Sequence, residues 1–351
     1  MVKHSCLCNL KRKFNSASNR RLVVAFDGTE NQFGPQSSHV VEFYSRIVKS
    51  GDQPSYYTSG IGTYPKPSRT KKVRIWVKNK WASITAWNFR SNLLAGYRWL
   101  SENYREGDQI FLLGFSRGAY QARVLAAMIK KVGLLRTGNN EQIPFAFAIY
   151  KDPGSSKNIY TTRAKEFKKA FCSDVNIHFV GVWDTVSSVG FFRNKQYPGA
   201  ELAENICFFR HALALNERRV KFLPEYVVAK KDWFQPGDFG EPRCKEVWFR
   251  GSHSDITNVT SDAGAVSSRW MAYEAMLAGL QMTAFSKRLT LEHFIGHAPH
   301  NSMSRFYRSI EYFPLIKWSD PSVTPILGEE EEMPTWKYIR YFCSFVVLYR
   351  C

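Results

Sequence analysis

The chain has 351 residues, 44% of them hydrophobic, enough to bury a large core as one big α/β domain or two small ones. Its net charge is +19, from 49 Lys and Arg against 30 Asp and Glu, with the excess in Lys11 to Arg21, Lys66 to Lys80 and Arg163 to Lys169. No apolar run reaches about 18 residues, so no membrane span is expected, and no nucleic-acid recognition module accompanies the basic excess, which leaves an anionic lipid surface or a solvated basic face as its meaning.

Residues 1–20 read as a disordered basic arm. They lack the apolar core of a signal peptide, and their basic, Ser- and Asn-bearing composition also suits a mitochondrial presequence. Seven cysteines (Cys6, Cys8, Cys172, Cys207, Cys244, Cys343 and Cys351) are odd in number and scattered. They form neither a disulfide scaffold nor a zinc set, which fits a reducing, intracellular and cytoplasmic setting.

Arg21 to Phe26 is the first buried-strand signal, and it stops at the turn formers Asp27-Gly28-Thr29-Glu30-Asn31. Val40 to Val48 reads as a short helix and Ser55 to Thr58 as a strand, followed by the glycine loop Ser59 to Thr63. Pro65 to Lys80 is Pro- and Lys-rich and reads as exposed. Trp81 to Tyr104 is a helix by the spacing of Trp81, Ile84, Trp87, Leu94, Tyr97 and Leu100.

Ile110 to Leu113 is a continuous apolar run, as expected of a strand buried on both faces. It leads into the pentapeptide Gly114-Phe115-Ser116-Arg117-Gly118, and Ala119 to Val132 then follows helical periodicity through Leu125, Met128, Ile129 and Val132. A chain of this length holds only about 0.1 such pentapeptides by accident. The strand, turn and helix around it match a nucleophile elbow, in which a serine sits on a strained turn and the flanking glycines let strand and helix touch.

Gly133 caps this helix, and residues 136–172 read as helical with a loop at Asp152 to Ser156. Val175 to Trp183 is another buried strand, ending at Asp184-Thr185-Val186. His211 to Val220 reads as a helix. Lys245 to Arg250 is a strand running into Gly251-Ser252-His253-Ser254-Asp255, and Ser268 to Leu280 is a helix carrying Trp270, Met271, Ala275 and Leu277. The domain expectation is a catalytic unit over 21–325 and a peripheral segment over 326–351.

Three strands thus end in Ser116, Asp184 and His253, the chain order of nucleophile, acid and base in α/β-hydrolases. A serine hydroxyl attacks only when an imidazole takes its proton. The imidazole in turn needs a buried carboxylate to hold its tautomer and stabilise its charged form. An oxyanion hole follows from the N–H of Arg117, at a helix start, with Gly28 or Thr29. Asp27, Asn31 and Asp255 are assigned to substrate positioning, with Asp255 also the rival acid. Of the histidines, His253 directly follows a buried-strand signal, whereas His211, His293, His297 and His300 do not.

Several stretches together resemble the type VI lipase effector-like catalytic domain, an α/β-hydrolase family that includes bacterial phospholipase effectors and uncharacterised fungal proteins. They are Phe26-Asp27-Gly28-Thr29-x-Asn31, Tyr56-Tyr57-x-x-Gly60-Ile61-Gly62-Thr63, Gly114 to Arg123, Val182 to Val186, His211-Ala212-Leu213-Ala214 and Gly251-x-His253-Ser254-Asp255. The resemblance covers roughly residues 21 to 280. It implies a mostly parallel central sheet with helices on both faces and helical insertions. It also implies ester hydrolysis with Ser116 as nucleophile, His253 as base and Asp184 as acid, no cofactor, and phospholipid as one substrate class. The chain departs from the family after His253, where Ile256-Thr257-Asn258-Val259 replaces the usual valine and glycine run.

Two other readings follow from the residues. Asp27-Gly28-Thr29 echoes phosphatases with an aspartyl nucleophile, but Ala25 and Thr29 stand where the second carboxylate is needed. The altered loop after His253, with the basic surface, also suits a catalytically inactive module that docks on anionic membranes.

Overall fold

The apolar runs of the sequence become the strands of one parallel sheet. The computed structural model describes residues 20–28, 39–59, 74–152, 157–187, 197–201, 204–219, 222–228, 230–234, 242–257 and 262–285. In chain order the elements are β1 (Arg21–Phe26), α1 (His39–Arg46), β2 (Ser55–Thr58), α2 (Arg74–Asn103), β3 (Gln109–Phe115), α3 (Arg117–Val132), β4 (Leu134–Leu135), α4 (Ile143–Lys151), α5 (Lys157–Phe171), β5 (Cys172–Ser173), β6 (Ile177–Trp183), β7 (Ile206–Ala214), β8 (Cys244–Phe249) and α6 (Asp262–Leu277).

The main sheet runs β2-β1-β3-β6-β7-β8, and every neighbouring pair is parallel. A parallel sheet needs cover on both faces, and the side-chain alternation of β3 supplies both cores. Ile110 and Leu112 pack with Leu93 and Tyr97 of α2 and Leu125 and Ile129 of α3. Phe111, Leu113 and Phe115 point the other way, toward Val40 and Phe43 of α1 and Met271 and Ala275 of α6. The fold is therefore of the α/β-hydrolase type expected.

From β1 the chain steps outward to β2, then crosses back to β3 on β1's other side. The crevice beyond the carboxyl ends of β1 and β3 is the topological switch point, where sheets of this kind bind ligands. The turn from β3 to α3 lies there. A Cβ on Gly114 would stand 2.5 Å from the Gly118 carbonyl oxygen, and one on Gly118 would run into the carbonyl oxygens of Phe26 and Asp27. Both glycines are thus required by the close approach of strand, helix and β1.

The stretch read as a helix from His211 is instead strand β7 as far as Ala214. Ala212 and Leu213 favour helix locally, but β7 pairs with β6 on one side and β8 on the other, and that pairing overrides propensity. Helix α2 also starts earlier than expected, at Arg74, inside the Lys-rich stretch. Glu274 of α6 bridges Arg210 of β7 (2.5 Å) and Lys245 of β8 (2.7 Å), all three buried. The 1–20 arm (Arg20 apart), the segment 326–351, and His293, His297 and His300 lie outside the described residues.

Candidate active site

Ser116 follows β3 directly and has φ 55° and ψ −119°, a left-handed backbone that non-glycine residues rarely adopt. This is the strained turn the pentapeptide predicts. The turn is held by the Ser116 N–H, which donates to the Trp183 carbonyl at 2.9 Å. Its carbonyl accepts from Tyr120 at 3.2 Å and from Val186 at 3.3 Å.

Asp184 follows β6 in the same way and also has a positive φ, 41°. It is 1% exposed. Its Oδ1 accepts the Ala214 N–H at 3.1 Å, and its Oδ2 lies 2.5 Å from Nδ1 of His253. On the far side of the ring, Nε2 lies 2.9 Å from the Ser116 hydroxyl. An ionised carboxylate only accepts, so Nδ1 carries the hydrogen and Nε2 offers its lone pair to Ser116. The imidazole is packed between the Phe115 ring, 4.8 Å away, and the Phe222 edge, 4.9 Å away. Those two rings limit its rotation and shield it from water.

The departure after His253 leaves this geometry intact. Asp255 to Thr257 form a short 3-10 turn whose Ile256 is fully buried, and the Ile256 N–H donates to Ser252. The carboxylate at His253 Nδ1 is Asp184, and Asp255 is engaged with Ser252. Its Oδ2 accepts the N–H and the hydroxyl of Ser252, at 2.8 and 2.9 Å, and so braces the loop.

At the end of β1, Asp27 is buried. Its Oδ1 accepts the Gly28 N–H at 2.6 Å, and its Oδ2 accepts the Tyr57 hydroxyl at 2.7 Å. Burial, then the Asp27 charge, push the Tyr57 phenol well above its ordinary range, so it remains a donor. Of the two candidate second oxyanion donors, Gly28 and Thr29, the Gly28 N–H is turned to Asp27. A Cβ at Gly28 would also meet the Phe115 ring at 2.6 Å. Arg117 begins α3, where amide donors gather and the helix dipole favours negative charge. Thr29 and Asn31 lie outside the described residues. Among the described residues no cluster of three or more His, Cys, Asp or Glu could hold a metal.

The sequence reading gave no role to Tyr57, Glu217 or Glu246. Glu217 accepts the backbone N–H of His253 at 3.1 Å, and Glu246 lies 3.0 Å from His211. The signal present was the His211-Ala212-Leu213-Ala214 motif, which resemblance singled out without a role.

A parallel sheet with a serine, a histidine and an aspartate meeting at its carboxyl edge defines the class as an α/β-hydrolase-type domain. Within that class, the chain belongs to the family of T6SS phospholipase effector Tle1-like catalytic domains, whose profile matches residues 20–274. Over 223 residues it is 36% identical to the uncharacterized protein YEL023C of Saccharomyces cerevisiae, a match spanning 59% of this chain and 33% of that protein. The chain therefore spans about a third of the length of this curated relative. It also overlaps the crystal structure of an uncharacterized protein from Pseudomonas aeruginosa, with TM-score 0.39 and 15% identity over 78% of this chain and 48% of that one. A second overlap is with the Tle1 effector bound to the VgrG spike of the type 6 secretion system, with TM-score 0.36 and 18% identity over 70% of this chain and 52% of that one. The family assignment rests on the profile match.

Proposed function

We propose that this protein is a lipolytic serine hydrolase that cleaves acyl esters, with phospholipids as the substrate class its family suggests. The observation that carries the reading is the line from Asp184 through His253 to Ser116, with steps of 2.5 and 2.9 Å. It stands at the switch point of the sheet on a strained serine turn.

In this reading the Ser116 Oγ attacks the ester carbonyl carbon while His253 Nε2 takes the hydroxyl proton. The negative charge forming on the carbonyl oxygen is met by the Arg117 N–H at the head of α3. Asp184 steadies the imidazolium without taking its proton. Collapse of the intermediate expels the alcohol, protonated by His253, and leaves an acyl group on Ser116. Water, deprotonated by His253, then releases the acid and restores the serine. The domain carrying this chemistry is taken as residues 21–325.

A fluorophosphonate probe tests the reading, because it reacts only with an activated serine. Wild type should be labelled and Ser116→Ala should not, and ester hydrolysis should follow the same split. Folded wild type that resists labelling would favour the inactive, membrane-docking reading instead. The ready tautomer of His253 and the shielded ring support turnover over that alternative.

A further inference from the structure

The stretch from His211 to Glu217 contacts the segments that carry the candidate acid and the candidate base. His211 lies in the middle of the sheet, beside Val182 of β6 and Glu246 of β8. Its Nε2 accepts the N–H of Thr185 at 3.1 Å. A backbone N–H can only donate, so Nε2 carries the lone pair and Nδ1 the hydrogen. That hydrogen points at Oε1 of Glu246, 3.0 Å away, which also accepts the Val227 N–H at 3.0 Å. Both side chains are fully buried.

Thr185 is the residue after Asp184. The same strand holds Asp184 twice more, because the Asp184 N–H donates to the Ala212 carbonyl at 2.8 Å and the Ala214 N–H donates to its Oδ1. A residue with φ 41° does not keep that conformation by itself. Three hydrogen bonds from β7 hold it there.

Beyond β7 the chain reaches the other loop. The Asn216 N–H donates to the Gly251 carbonyl at 2.9 Å, and Asn216 Oδ1 accepts the Gly251 N–H at 2.8 Å. Glu217 Oε2 accepts the N–H of His253. The Glu217 carboxylate is itself held by the N–H groups of Arg218 and Arg219 and by the Arg219 guanidinium. Arg219 in turn stacks on the Phe222 ring at 3.7 Å, and Phe222 is the ring that packs against His253.

We propose that His211 and Glu217 are positioning residues for the reaction: His211 fixes the Asp184–Thr185 turn, Glu217 fixes the backbone of His253, and the rigid β7 segment between them sets the separation of acid and base. The inference rests on the serine-hydrolase reading. Neither residue touches the reacting atoms. Productive geometry is held to within about 0.5 Å only where the supporting residues are themselves locked by packing and hydrogen bonds.

The test uses His211→Leu and Glu217→Ala, each beside its conservative partner, His211→Gln and Glu217→Gln. A glutamine at 211 can present an amide oxygen where Nε2 accepts, and a glutamine at 217 keeps one acceptor oxygen. On a soluble short-chain ester, Leu and Ala should lower kcat by about tenfold to a hundredfold, the cost of roughly an ångström of misplacement. KM should stay within about twofold, and the glutamine variants should recover most of the loss. Hydrogen exchange should quicken in peptide 183–187 for His211→Leu and in peptide 251–255 for Glu217→Ala.

Folded variants with wild-type kcat and unchanged exchange overturn the proposal and leave the serine reading standing. If wild type proves unreactive toward fluorophosphonate, the serine reading falls, and the exchange data alone then decide whether the two anchors hold their loops. Should His211→Leu fail to fold, Glu217→Ala carries the comparison, since Glu217 lies beyond the strand pairing of β7.

Discussion

Ser116 and Asp184 stand one residue beyond the neighbouring strands β3 and β6, and both have a left-handed backbone, φ 55° and 41°. Among the described residues they are the non-glycine positions with positive φ. Each such position costs about 1–3 kcal/mol and persists only where its surroundings over-determine it. Here the two turns are stitched together, the Ser116 N–H bonding to Trp183 and the Val186 N–H bonding back to Ser116.

Relief of that strain is measurable. Ser116→Gly should be more stable than wild type by about 1 kcal/mol, because glycine adopts positive φ without a Cβ clash. Ser116→Ala keeps the strain and should not gain as much. Urea denaturation of the three proteins checks the order, and both variants should lose fluorophosphonate labelling. Equal stabilities for glycine and wild type would argue that the turn carries no strain.

Asp184→Asn should leave the fold in place and lower kcat by about 10⁴-fold. The asparagine amide can donate toward Nδ1, which would turn the other tautomer toward Ser116 and remove its base. Adding Asp184→Asn to Ser116→Ala should cost almost nothing further, since groups acting as one unit are not additive. Steady-state kinetics of the single and double variants decide this. An additive double variant would separate Asp184 from the serine chemistry.

Glu217 makes a pH-dependent contribution to stability. Burial by itself would raise its carboxyl, but the Arg219 guanidinium, the Arg219 N–H and the His253 N–H outweigh it and lower the pKa from 4.5 to about 2. A carboxyl lowered on folding stabilises the fold in full above its unfolded value, and the effect fades as pH falls toward the folded one. The gap in Tm between wild type and Glu217→Gln should therefore be constant above pH 5 and narrow steadily from about pH 4.5 to 2. Thermal melts across that range check it. A gap that widens on acidification would mean that the carboxylate is not held as the hydrogen bonds indicate.

Glu274 neutralises two buried cations on β7 and β8. Glu274→Ala would strand Arg210 and Lys245 together in the interior and should cost about 3–5 kcal/mol. Chemical denaturation measures the loss.

The sequence by itself determined several of the central strands and the residues at their ends. Arg21 to Phe26, Ile110 to Leu113 and Val175 to Trp183 are mostly apolar runs bounded by turn formers, which read as buried strands, and Gly114 to Gly118 called for a tight turn after one of them. Local chemistry of that kind is written in neighbouring residues. It did not determine β7, whose Ala212-Leu213-Ala214 reads as helix until β6 and β8 close on it from both sides. It did not determine the direction of the Gly28 N–H, which depends on the rotamer of Asp27 and on Tyr57, 30 residues away along the chain. The joining of Asp184 to His253 and of Glu217 to the same loop spans 69 and 36 residues. Pairings over such distances are set by how the sheet twists and packs, so only the tertiary structure decided them.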